Sequence, residues 1–153
     1  MTKEIPLSAF PVRAFDKIRY GDTDRQGHVN NAVFATYLET GRVALLYQQT
    51  GPADSSASRA EAGSSFVIAR LELDFQREIT WPGTVEIGTV VESVGRSSVK
   101  LQQALYQHDR CVAYARTVIV LMDQTTRRSR PLPAALVEHF SALRGPLVET
   151  PTG

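Results

Sequence analysis

Residues 13–20, RAFDKIRY, alternate apolar and polar positions well enough to predict a first strand, with Phe15 on one face and Ile18 and Tyr20 on the other. From Asn31 to about Gln49 the period changes. Phe34, Tyr37, Leu38, Gly41, Ala44, Leu45 and Gln48 fall at i, i+3, i+4 and i+7 spacing, and Asn30 or Asn31 suits an N-cap, so a long helix is expected. Val33, Ala35, Val43 and Leu46 lie off that stripe, and only Glu39, Arg42 and the threonines interrupt the apolar surface, which predicts a helix enclosed by sheet on most sides. Gly51 and Pro52 end the pattern, and the small polar residues of 50–65 predict a flap or functional loop.

Four strand-like runs follow, at 66–77, 84–94, 97–109 and 111–123. In the first of them Val67, Ala69, Leu71, Leu73 and Phe75 alternate against Arg70, Glu72 and Asp74, the period of a sheet with one buried face. WPG (81–83), GR (95–96) and HDR (108–110) supply turns, so three tight antiparallel connections are expected, and PAALVEHFSAL (133–143) predicts a short closing helix. The order is strand, long helix, then four strands. An antiparallel sheet of that size must cover its apolar face, and the long helix is the element available to do it. The expectation is an α+β fold in which a curved antiparallel sheet of about five strands wraps a central helix. It occupies 1–153 as one domain, with a core at about 13–125 and a C-terminal extension at 126–153.

Composition changes this picture little. A chain of 153 residues can bury a core without disulfides or metals. Lys and Arg number 17 against 16 Asp and Glu, so no global field draws the protein to nucleic acid or an anionic membrane, and an anionic ligand must be held by local charge. The one cysteine, Cys111, sits in a strand-like apolar run and reads as a buried small hydrophobe in a reducing compartment. No run approaches the ~18 apolar residues of a membrane span and the first residues lack a signal-sequence pattern, so a cytoplasmic protein is expected.

The chemistry concentrates in RYGDTDRQGHVNN, residues 19–31. Asp22, Asp24, Gln26 and Gly27 imitate the start of a calcium loop, but its twelfth position is Val33 where a bidentate Glu is needed. His28 has no second histidine or cysteine at ligand spacing, so no metal is expected. A serine on a nucleophile elbow is absent too. What remains is an acid in a loop that enters a helix N-terminus. The first-turn N–H groups there lack intrahelical partners and the helix end carries about half a positive charge, so the loop can polarise a carbonyl or hold an oxyanion. Asp24 beside such donors is the minimum equipment for acyl transfer, as a nucleophile or as a general base activating water. Gly27 allows close backbone approach or a positive φ.

RYGDTDRQGHVNNAVFATYLETGR resembles the signature of the 4-hydroxybenzoyl-CoA thioesterase-type hotdog family, and the later FVIARLELDFQREITWPGTVEIGTVVESVGRSSVKL resembles the strands that follow the helix there. The resemblance implies an acyl-CoA thioesterase of the hotdog fold, a homodimer or homotetramer with active sites at the dimer interface, and no cofactor beyond the coenzyme A thioester itself. By position it places the catalytic aspartate at Asp24 and the carbonyl-polarising backbone N–H near Asn31. The same stretch also resembles the plant-type acyl-carrier-protein thioesterases, which place an asparagine where this chain has Gln26, so the carrier is left open. A non-catalytic acyl-CoA-binding hotdog is the remaining alternative, and the retained Asp24 speaks against it.

Each candidate has a structural alternative. Asp24 can close an Asx-turn, Asp22 reads as structural, and Asn30 and Asn31 read as caps. His28 can lock the loop or touch substrate. Glu39 is a rival acid on the helix, with Arg42 at i+3 offering an ion pair. Arg96 and Arg128, the latter within RRSR (127–130), can hold coenzyme A phosphates or form solvated basic turns. Trp81 reads as packing or interface.

Overall fold

The computed structural model describes residues 5–47 and 63–145. Strand β1 (Val12–Lys17) leads through a 3-10 turn (Tyr20–Asp22) to helix α1 (Asn31–Tyr47); β2 (Ser64–Phe75), β3 (Thr84–Val94), β4 (Ser98–Gln107), β5 (Arg110–Asp123) and α2 (Ala134–Ala142) follow. The expected 50–65 loop falls mainly on residues outside the described set, and its last two positions already belong to β2.

All five strands form one antiparallel sheet in the order β1-β3-β4-β5-β2. Two of the three expected tight connections are hairpins. The β4–β5 turn holds His108 at φ 53° and Asp109 at φ 61°, the paired positive values of a two-residue turn that follows the sheet's twist. The third connection, carrying WPG, is a crossover: β2 pairs with β5 at one edge, so residues 76–83 must travel across the sheet to reach β3. This crossover passes the N-terminal end of α1, where Val29 donates to Ile79 and Trp81 donates to Gly27. A turn-residue pattern reports a bend without reporting which strands it joins.

Two further expectations are corrected. β1 stops at Lys17, and Tyr20 lies 73% exposed on the 3-10 turn while Ile18 is buried. In β2 the simple alternation is broken by a bulge between Ile68 and Arg70. Ala69 is the extra residue, so Phe66 and Ile68 share a face with Leu71, Leu73 and Phe75, and Val67 turns to the other.

α1 lies on the face of the sheet that carries Ile87, Leu101 and Leu105 and buries Phe34, Tyr37, Leu38, Gly41, Arg42 and Leu45. The helix is less enclosed than its composition suggested, since Val43 and Tyr47 are exposed. Arg42 does not face Glu39. Its Nη1 donates to Gln103 Oε1 at 3.4 Å, while Gln103 Nε2 donates to Leu38 O and Thr89 Oγ1, both at 3.0 Å. Burial pulls the guanidinium below its ordinary pKa, against the opposing pull of Glu39. The other sheet face is covered in part by the N-terminal segment, with Phe10 against Tyr106 and Val90.

Helix and sheet approach most closely at Gly41, where an added Cβ would lie 2.5 Å from Ile87 Cγ2, 2.7 Å from Gln103 Nε2 and 2.9 Å from Thr89 Oγ1. Gly41→Val is therefore expected to push α1 off the polar cluster beneath it. Overpacking of this kind costs about 1–3 kcal/mol, and roughly 2–4 °C of Tm accompany each kcal/mol in a chain of this size. Calorimetry showing an unchanged Tm would mean that α1 stands off the sheet.

Candidate active site

The segment from Arg19 to Asn31 is anchored at both ends before it presents any chemistry. Asp22 Oδ2 accepts from the Arg19 backbone N–H at 2.9 Å and from the Tyr37 hydroxyl at 2.8 Å, and the Asp22 carbonyl accepts from Asn30 N–H at 2.9 Å. Burial, then the hydrogen bond to Asp22, hold the Tyr37 phenol far above its usual pKa, so it stays a donor. Asp22 is thus the tether of the loop to α1.

Between these anchors Thr23 and Val29 pair, and residues 24–28 close a tight turn. Asp24 N–H donates to His28 O at 2.8 Å, and Gly27 N–H to Asp24 O at 3.3 Å. Asp24 Oδ1 accepts from Gln26 N–H at 2.8 Å and His28 N–H at 3.2 Å. These bonds fix the carboxylate's direction while Oδ2 keeps no hydrogen-bond partner among the described residues. The Asx-turn and a chemical role are therefore compatible: one oxygen holds the turn and the other is available.

Asn30 is the cap. Its Oδ1 accepts from Ala32 N–H at 3.0 Å and its carbonyl from Val33 N–H at 2.9 Å. The first helical N–H, that of Asn31, has no acceptor among the described residues. It is a first-turn donor at the positive end of a 17-residue helix.

Asp24, His28 and Asn31 line one cleft of about 270 Å³ with Val29, Phe34, Phe75, Gln76, Arg77 and Glu78. Phe34 and Phe75 meet edge-on, centroids 5.0 Å apart, and form its apolar wall. His28 Nε2 lies 3.1 Å from Glu78 Oε2, tying the loop to the crossover. Arg77 Nη1 donates to Cys111 O at 2.6 Å. Sequence reasoning missed Gln76, Arg77 and Glu78, because it read QREIT as the end of a strand and a turn, and only the crossover brings them to α1. Glu39 is exposed on the helix and does not line this cleft.

Gly27 carries φ +80° with nothing within 4 Å of a would-be Cβ. The conformation, and not crowding, requires glycine here. Gly27→Val is expected to distort the Asp24 turn and depress turnover strongly, whereas Gly27→Asn, which tolerates a left-handed backbone, should retain much of the activity; equal turnover in both variants would remove Gly27 from the site.

The two arginines fall elsewhere. Arg96 lies in the β3–β4 turn and Arg128 beyond β5, joined to that end of the sheet by Asp123 N–H donating to Arg128 O and Leu132 N–H to Arg96 O. β3 runs its whole length, roughly 30 Å, between Arg96 and the Gly83 end near the cleft. Within one chain they do not join Asp24. Among the described residues no group of three or more histidine, cysteine or acidic side chains is placed to hold a metal.

The thioesterase-like superfamily profile matches residues 18–140, and the chain belongs to that family. The five-stranded antiparallel sheet curved about α1 is its hotdog fold. The chain is 30% identical over 120 residues to a 1,4-dihydroxy-2-naphthoyl-CoA hydrolase of Synechococcus elongatus, covering 78% of this chain and 87% of that protein. Over 135 residues it is 24% identical to acyl-CoA thioester hydrolase YbgC of Escherichia coli O157:H7, covering 88% and 96%. A Thermus thermophilus thioesterase crystallised with coenzyme A and zinc matches with a TM-score of 0.73 at 34% identity, covering 91% and 98%.

Proposed function

We infer that the protein is an acyl-CoA thioesterase in which Asp24 and the Asn31 N–H act on one thioester. The carrying observation is that a carboxylate oxygen and a helix-end N–H, neither with a hydrogen-bond partner among the described residues, line the same cleft. As a base, Asp24 takes a proton from water as the water oxygen bonds to the thioester carbon. The carbonyl oxygen becomes an oxyanion held by Asn31 N–H, and collapse breaks the C–S bond, releasing the acid and a thiolate that takes up a proton. As a nucleophile, Asp24 displaces the thiolate to form an anhydride that water then hydrolyses. Both routes use the same two groups and need no metal or redox cofactor. Gly27 shapes the turn, and His28 lines the cleft against the substrate.

The reading includes a homodimer. β2 is a 12-residue edge strand, and its apolar face leaves Ile68 and Phe75 nearly half exposed in one chain. Antiparallel pairing of two β2 edges would bring the Arg96 and Arg128 end of the second chain towards the cleft of the first, where their charge could meet substrate phosphates. A cytoplasmic location fits a buried thiol at Cys111, the chain's one cysteine. The test is release of free thiol from a panel of acyl-CoAs of varied length and aromaticity; no release from any of them overturns the reading.

A further inference from the structure

Tyr20 and Trp81 are large aromatics left in the open, 73% and 43% exposed, yet they are organised. Their rings meet edge-on at 79° with centroids 5.2 Å apart. Burial is not what places them. Backbone bonds do: Ile18 N–H donates to Gly83 O at 2.9 Å, Trp81 N–H to Gly27 O at 3.3 Å, and His28 pairs with Thr80. The pair therefore rests against the turn whose Asp24 and His28 line the cleft.

The charge around it is sorted. Lys17, Arg19 and Arg25 are exposed on the same segment, and none has an ion-pair partner among the described residues. The interleaved acids keep their charge but are turned away from these cations: Asp16 accepts from the Thr40 hydroxyl at 2.8 Å, Asp22 from Tyr37, and one oxygen of Asp24 from its own turn. An exposed aromatic pair on a segment whose three cations have no ion-pair partner among the described residues suits a planar base carrying phosphate.

We propose that this surface holds the nucleotide end of acyl-CoA, with adenine stacked on the face of one ring of the Tyr20–Trp81 pair and flanked by the other, and the 3′-phosphate among Lys17, Arg19 and Arg25. The proposal rests on the thioesterase reading, because the pantetheine arm is what would join this surface to the cleft. It makes the carrier coenzyme A, since an acyl-carrier protein brings no adenine.

Trp81 is the chain's one tryptophan, so its emission reports on the platform directly. Adenosine 3′,5′-bisphosphate is expected to change that emission saturably, with weaker binding of adenosine 5′-phosphate. Tyr20→Ala should weaken binding about 5- to 150-fold, the span of one lost base–aromatic stack. Lys17→Ala with Arg25→Ala should weaken it and flatten its salt dependence. In kinetics, Tyr20→Ala and Trp81→Ala should raise KM for acyl-CoA by a similar factor while kcat, and all hydrolysis of the corresponding acyl-pantetheine, stay unchanged. The proposal is overturned by an emission that ignores the bisphosphate, by equal KM rises for both substrates, or by a rise confined to acyl-carrier protein. It is also overturned if Arg96→Ala and Arg128→Ala raise KM for acyl-CoA while the platform variants do not. Saturable binding without hydrolysis of either substrate would uphold the nucleotide site and sink the thioesterase reading, so the two failures are told apart.

Discussion

Asp24→Asn is expected to collapse kcat while leaving the fold nearly untouched. The turn needs one acceptor at this position, for the Gln26 and His28 N–H groups, and an asparagine Oδ1 supplies it. What the substitution removes is the negative charge and almost all basicity of the other atom. Loss of a general base costs about 10²- to 10⁴-fold, and loss of a nucleophile can cost more. Asp22→Asn is the nearest control: its Oδ1 can still accept from Arg19 N–H and the Tyr37 hydroxyl, so activity should persist. Glu39→Gln alters an exposed helix position outside the cleft and should be close to neutral. A dead Glu39→Gln beside an active Asp24→Asn would move the chemistry to the helix and falsify the assignment made above.

The architecture was legible because each element carries its own periodicity. α1 and all five strands announce themselves in local patterns, and an antiparallel sheet with one long helix leaves few ways to cover the apolar face. Pairing was not legible. WPG looks like a hairpin turn, yet β2 pairs with β5, because turn chemistry is local and strand order is decided by which faces can be buried together. The Ala69 bulge was hidden for a related reason: an extra residue inside an apolar run leaves no mark until the partner strand is known.

The same distinction runs through the site. Asp24, Gly27, His28 and Asn31 lie within eight consecutive positions, so the loop-to-helix transition could be read as chemistry directly. Glu78 and Arg77 reach the cleft only through the crossover, and nothing around them in QREIT marks them. Arg42 shows the opposite error. Spacing alone made Glu39 its natural partner, but a helix pressed to the sheet at Gly41 carries the next residue inward, where Gln103 meets it. An i+3 pair is worth a few tenths of a kcal/mol at a surface, too little to hold a side chain that packing draws under the helix.

Asn31→Pro tests the other half of the mechanism by removing a single hydrogen. Proline suits the first helical position, where its fixed φ is already correct and the missing N–H has no intrahelical partner. Here that N–H has no acceptor among the described residues, and Asn30 goes on capping Ala32 and Val33, so the folded state should lose little. The residue before a proline is pushed to extended backbone, which is what an N-cap adopts. Should the N–H be the oxyanion donor, kcat falls about 10²- to 10³-fold, the cost of one such donor, with Tm shifted by no more than a few degrees. Asn31→Ala separates backbone from side chain: it keeps the N–H and should keep the rate. A proline variant as active as the alanine one would leave the developing charge without this donor and return Asn31 to the role of an ordinary first residue of a helix.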